Sequence, residues 1–364
     1  MNRWSRGLLG LALIVGCHGE TAPSTPVSDA ASDAASDEGE EAPLCPPALG
    51  VGKPRTTKGT PGPLDATLRL NELQLEATHN SYHVQPAKGG AAEWQYTHAS
   101  IGKQLSEQGV RGIELDTRWN EACGRYEVYH LPIFDEGTTC RVFTDCLAEL
   151  RAWSDAHPSH HPLFVHLEPK DGWETDTGEA RAVALEREIL SVFPRELVIT
   201  PDEVKGGAAS LREAVTSKGW PTLGATRGRV LFYLDRSDAY RDAYTHGRKD
   251  LADRLLFADA DETDPFAAVL VRNGALAGKN AITALVKKGF IVRTFADRSV
   301  DAGWAGDRTQ LDAALASGAQ IVSTDFPAKD PRTSYFVEIP SGTPSRCNPV
   351  TAPAGCTSAA VESL

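Results

Sequence analysis

The chain has 364 residues, 41% hydrophobic and 24% charged, with 37 Lys and Arg against 49 Asp and Glu, for a formal net charge of -12. That composition excludes a small disulfide knot, a collagen-like chain and a wholly disordered one, and the length fits one large domain or two small ones. The acidic balance, without a Lys/Arg cluster, argues against nucleic acid as a partner.

Residues 1–17 combine a basic start at Arg3 and Arg6, a short apolar run from Leu8 to Val15, and then Gly16-Cys17. A run of that length is a signal peptide rather than a membrane span. Ile14-Val15-Gly16-Cys17 resembles the bacterial lipobox, so Cys17 is the expected lipidation site of an exported protein, anchored to a bacterial membrane or secreted. Residues 18–63 first repeat Ser-Asp-Ala-Ala and then turn Pro/Gly-rich, which reads as a tether with too little apolar surface to order itself. A barrel domain over 64–340 and a Cys-containing C-terminal tail over 341–364 complete the expected organisation. Apart from Cys17, six cysteines remain, an even number in an exported chain, with Cys347 and Cys356 the best local pair.

Along the body, short apolar or alternating runs read as strands at Leu73–His79, Val110–Trp119, Tyr126–Leu131, Leu163–Lys170, Arg229–Asp235, Leu255–Ala260 or Ala268–Val271, Phe290–Asp297 and Gln320–Asp325. Helical segments are expected between them at Ile101–Gln108, Thr144–Ala156, Glu179–Val192, Leu211–Ser217, Ala239–Leu251, Ala281–Lys288 and Asp307–Ser317. About eight strands alternating with helices predict a (β/α)8 TIM-type barrel as a single catalytic domain. An open doubly wound sheet would carry a Gly-rich phosphate loop after its first strand. Thr78-His79-Asn80-Ser81-Tyr82 stands there instead.

Chemistry in such barrels sits at the carboxyl ends of strands. Strict alternation in Gly112-Ile113-Glu114-Leu115-Asp116-Thr117-Arg118 sends Glu114 and Asp116 toward the axis, and Val165-His166-Leu167-Glu168-Pro169-Lys170 does the same for His166, Glu168 and Lys170. Glu114, Asp116, Glu168 and the amide oxygen of Asn80 form an all-oxygen set that selects a hard cation, Ca2+ before Mg2+ in an exported protein. The competing reading is a buried ion network of the same acids with Arg118, Lys170 and Arg293. His79 and His130, at strand ends beside that set, suit proton transfer or phosphoryl contact. His98 and His166 read as core histidines, and His157, His160 and His161 as solvent-exposed residues of a Pro-rich loop.

At these residues the chain resembles the phosphatidylinositol-specific phospholipase C superfamily, in particular its exported, Ca2+-dependent bacterial branch. Thr78-His79-Asn80-Ser81-Tyr82, Gly109 to Asp116, Tyr129-His130, His166-Leu167-Glu168, Val292 to Asp297 and Ala313 to Asp325 carry the likeness, over about Leu70 to Pro327. The resemblance implies His79 and His130 as catalytic histidines and Asn80, Glu114, Asp116 and Glu168 as Ca2+ ligands. It also implies cleavage of phosphatidylinositol to diacylglycerol and inositol 1,2-cyclic phosphate by attack of the inositol 2-hydroxyl. Glu114 or Glu168 would be the base, and Lys170 and Arg293, on the rim, would hold headgroup oxygens. The expected partner is a phospholipid with an inositol headgroup at a membrane surface, met by a monomer. Two alternatives are a Ca2+-dependent glycerophosphodiester phosphodiesterase, whose His-Arg-Gly and Glu-Asn motifs are missing, and a non-catalytic lipid-anchored headgroup-binding protein, which would need neither histidine.

Overall fold

The computed structural model describes residues 45–170, 177–235, 239–341 and 344–362. The expected signal peptide, Cys17 and most of the tether lie outside them. Eight parallel strands surround an axis: β1 (Leu73–Thr78), β2 (Gly112–Asn120), β4 (Leu163–Pro169), β5 (Val230–Leu234), β6 (Phe257–Ala258), β7 (Val269–Val271), β8 (Ile291–Phe295) and β9 (Ile321–Thr324). Backbone ladders join them in the order β6-β5-β4-β2-β1-β9-β8-β7, so the barrel is nearly closed and its seam falls between β6 and β7. A side chain spans that seam: Asp259, just past β6, accepts the Val271 amide at 2.9 Å, and Arg272 returns to Asp259 and to the Ala260 carbonyl.

Two strand expectations need correction. Tyr126–Leu131 is not a barrel strand; β3 (Arg125–Val128) is the antiparallel return arm of a hairpin on β2, with Thr117 opposite Val128 and Asn120 opposite Arg125. Leu255–Ala260 and Ala268–Val271, expected as alternatives for one strand, each form one, only two and three residues long, which restores the count of eight. Among the helices, Phe143–Ala156 buries Phe143, Cys146, Leu147, Leu150 and Trp153, the i, i+3, i+4, i+7 stripe that a barrel helix turns inward. Ala239–Tyr244 stops well short of Leu251, whereas Ala275–Lys287 starts six residues earlier than the apolar pattern suggested.

On β2, Ile113 and Leu115 are buried against the helical layer while Glu114 and Asp116 face the axis. Parallel register sets Glu114 beside His166 and Asp116 beside Glu168 on β4. Two carboxylates opposed in neighbouring strands repel unless a cation stands between them. One glycine is sterically required here: a Cβ on Gly112 would lie 2.5 Å from that of its partner Ala77, so β1 and β2 approach closely beneath the polar end.

Three disulfides form: Cys45–Cys123, Cys140–Cys146 and the expected Cys347–Cys356. Residues 45–63, grouped with the tether by composition, run along the barrel wall. Arg125 donates to the Pro47 carbonyl, Gly52 to Leu190, and Arg55 to Asp155 and the Gly228 carbonyl. At the opposite end of the chain, β10 (Ser345–Cys347) pairs antiparallel with β1, and Val361 packs with Leu68, Leu73 and Leu223. Glu362 then meets the buried Arg111 and the His161 amide. The His157–His161 expectation changes here: His157 is exposed, but His160 and His161 are buried, their Nδ1 atoms bonded to the His161 and Pro162 carbonyls. Burial holds both neutral, at about 3 and about 4.

Candidate active site

The turn after β1 is built to fix two functional side chains. His79 donates its amide to Thr324, Asn80 takes φ +42°, a left-handed value that asparagine tolerates, and His83 donates back to the Asn80 carbonyl. Ser81 ties the turn to β2 twice, donating its amide to the Glu114 carbonyl and accepting the Glu114 amide on its hydroxyl.

His79 is set with Nδ1 2.8 Å from Asp325 Oδ1 and Nε2 3.7 Å from Glu114 Oε1. Burial alone would lower its pKa, but Asp325 and Glu114 outweigh that and raise it to about 9. His98 is a core histidine, as expected, and serves this turn: its Nε2–H donates to the His79 carbonyl at 2.8 Å, with burial lowering the ring to about 4.

His130 reaches the mouth on the hairpin. Its Nδ1 lies 2.8 Å from Asp135 Oδ2, its carbonyl accepts from Arg118, and Trp94 stands edge-on at 6.0 Å. The loop that follows exposes two large apolar side chains, Ile133 (87%) and Phe134 (69%).

Between the histidines lie the acids. One oxygen each of Glu114, Asp116 and Glu168 falls within 4.8 Å of the others, a group able to hold a metal ion. Asn80 Oδ1 is buried and accepts no hydrogen bond, a cost that a cation would remove. Burial, partly offset by Lys170 but reinforced by Glu168 and Glu114, pushes Asp116 up to about 6. These donors are all oxygen and fit Ca2+.

Of the two cationic residues, only Arg293 sits deeper than the sequence suggests. Lys170 bridges Asp116 Oδ2 (3.1 Å) and Glu168 Oε1 (2.8 Å) at the mouth. Arg293 was placed on the rim from sequence, but it lies mid-strand on β8, 1% exposed, bonded to Glu114, Ser323 Oγ and Asn273 Oδ1. His166, read as plain core, proves to be part of the site: it stands 3.0 Å from both Glu114 and Asp235, which raise it to about 9 against the opposing effect of burial. For Glu114, burial is outweighed by Arg293, His166 and His79, and the carboxyl is held well below its usual range.

Sequence reasoning did not assign Asp325, Asp135, Asp235 or His83. Asp325 stood inside a recognised block, but its partner His79 is 246 residues away.

The family model for Ca2+-dependent phosphoinositide phospholipase C matches residues 127–349. The chain belongs to that family. The match takes in His130, Glu168, Lys170 and Arg293, while His79, Asn80, Glu114 and Asp116 precede it. A calcium-dependent phosphoinositol-specific phospholipase C from a Gram-negative Pseudomonas species, in its apo form, is 19% identical, covering 80% of this chain and 100% of its own at TM-score 0.55. Its myoinositol complex gives 19%, 78%, 97% and 0.53. The Ca2+-dependent phosphatidylinositol-specific phospholipase C of Streptomyces antibioticus gives 19% identity, covering 72% of this chain and 96% of its own, at TM-score 0.50. At such identities the likeness establishes the TIM-like barrel alone. No curated protein matches this family member.

Proposed function

We propose that this phospholipase C family member is exported, held at a bacterial membrane through Cys17, and cleaves phosphatidylinositol as a monomer to diacylglycerol and inositol 1,2-cyclic phosphate. The observation that carries the reading is the pairing of two carboxylate-held histidines, His79 on Asp325 and His130 on Asp135, around three convergent acids. The exposed Ile133 and Phe134 beside His130 support a lipid surface as the place of action.

Asn80, Glu114, Asp116 and Glu168 would hold Ca2+, which supplies Lewis-acid charge to a hydroxyl and to phosphoryl oxygen. His79, its Nδ1 fixed by Asp325, directs Nε2 to a phosphoryl oxygen, where the charge of the phosphorane develops. His130 keeps Nδ1–H on Asp135 and so has Nε2 available to protonate the departing glycerol alkoxide. The 2-hydroxyl proton passes to a carboxylate of the acid group. Glu168 and Glu114 are the acceptors in reach, and Arg293 and His166, which favour the Glu114 anion, weaken that residue as a base. Lys170, 18% exposed between Asp116 and Glu168, is the cation best placed to meet headgroup oxygens.

The test is product chemistry. An intramolecular hydroxyl beside phosphorus reaches effective molarities of about 10⁵–10⁸ M, which external water does not match. Phosphorus NMR of the earliest product should show the five-membered cyclic diester, and a 2-deoxy-inositol substrate should bind without turnover. Efficient cleavage of the 2-deoxy analogue would mean water attack and a diesterase acting on other headgroups.

A further inference from the structure

His83 is wholly buried and lies outside the acid group and the histidine pair described above. Its Nε2 is 3.0 Å from Asp135 Oδ1 and 3.1 Å from Oδ2, the same carboxylate that holds His130 Nδ1 at 2.8 Å. The other nitrogen, Nδ1, is 3.0 Å from the Tyr96 carbonyl, and the ring lies tilted on Tyr96 at 4.4 Å between centroids. A carbonyl and a carboxylate only accept, so each ring nitrogen of His83 faces an acceptor. Asp135 itself is 1% exposed, on a loop closed on itself by the Leu131–Asp135 bridge and joined to the segment after β1 by the antiparallel pairing of His83 with Thr138.

We propose that His83 is a positioning residue for the leaving-group step: it pins the Asp135 carboxylate, and through it the His130 ring, so that His130 Nε2 stays aimed at the departing oxygen. The inference rests on the assignment of His130 as the general acid. A carboxylate that held His130 alone, on a loop bearing exposed Ile133 and Phe134, would have a rotameric freedom that one further N–H, shared between its two oxygens, removes. Fixing an acid within a fraction of an ångström matters because a displacement of about 1 Å costs roughly 10²-fold in rate.

The experiment compares two soluble inositol phosphodiesters, one with an alkyl leaving group and one with 4-nitrophenol, whose phenolate departs without a proton. His83→Leu removes both ring nitrogens; His83→Gln restores an N–H toward Asp135. For the alkyl substrate, His83→Leu should lower kcat 10- to 100-fold with KM unchanged; for the nitrophenyl substrate the loss should be under 3-fold, and His83→Gln should recover most of the rate. Equal losses on both substrates, or a change confined to KM, overturn the proposal. His130→Ala, run alongside, separates the two levels: if it discriminates between leaving groups and His83→Leu does not, only the role of His83 falls. If His130→Ala does not discriminate, the general-acid assignment falls and takes this inference with it. Should His83→Leu not fold, Asp135→Asn, of equal size but with an amide facing the rings, must show the same leaving-group pattern, and its absence overturns the proposal equally.

Discussion

Replacing Glu362 by Gln should destabilise the barrel by about 3 kcal/mol at neutral pH, although the residue lies near the chain end and far from the chemistry. Its carboxylate accepts from Arg111 Nε at 2.9 Å and from the His161 amide at 2.9 Å, and Arg111 is 1% exposed beneath it, with Trp153 under the guanidinium. Despite burial, which opposes ionisation, Arg111 at all pH values, and the His161 ring only once it is protonated below about pH 4, bring the Glu362 pKa from 4.5 down to about 2. At neutral pH, where His161 is uncharged, the Arg111–Glu362 pair carries the effect, and removing one partner of such a buried pair costs about 3 kcal/mol or more. Because the folded pKa is the depressed one, the contribution is complete above about pH 5 and fades as pH falls toward 2. In a chain of this size 1 kcal/mol moves the thermal midpoint by roughly 2 °C, so Glu362→Gln should lower Tm by roughly 5 °C at pH 7 and by progressively less below pH 5. Arg111→Met in the same chain should recover part of that loss. A Tm change under 1 °C at pH 7, or a difference that stays constant down to pH 2, would refute the reasoning.

Three further outcomes follow from the site. Ca2+ at a hundredfold excess over its Kd should raise stability by about 2.7 kcal/mol, and EGTA after metal stripping should abolish turnover; an unchanged Tm and rate would remove the metal assignment. His79→Ala and His130→Ala should each lower kcat by about 10²–10⁴-fold while circular dichroism stays native, and near-native rates in either would disprove its role. Cys17→Ser should release the protein from membranes with the activity of the barrel intact, and unaltered fractionation would refute lipid anchoring.

Much of this site was legible because β2 and β4 alternate without interruption, so the period of two alone sends Glu114, Asp116 and Glu168 to one place. The hairpin was not. Tyr126–Leu131 alternates as a barrel strand does, and only the turn at Glu121–Gly124, with Gly124 at φ +60°, distinguishes the two. Strands β6 and β7, at two and three residues, are too short for any periodicity to declare them. Histidines were the hardest to read. His166 and His160 are both buried, yet one stands between two carboxylates and the other between a serine hydroxyl and a carbonyl, surroundings that only the fold supplies. The carboxylates that orient His79 and His130 were hidden for opposite reasons: Asp325 is remote in sequence, and Asp135 is close enough to pass for a loop charge.

The seam between β6 and β7 makes the barrel unequal around its circumference. β2–β4 and β4–β5 are joined by ladders of six and five residue pairs, but here the Val271 amide is held by the Asp259 carboxylate. Rotating one side chain therefore frees that amide, whereas freeing an amide between β2 and β4 requires separating a six-pair ladder. In native-state hydrogen exchange the Val271 amide becomes the reporter of a local opening that leaves the catalytic half untouched, and it exchanges at a free energy well below that of global unfolding. That opening lies on the wall opposite β1 and β2, the two strands from which His79, Asn80, Glu114 and Asp116 project.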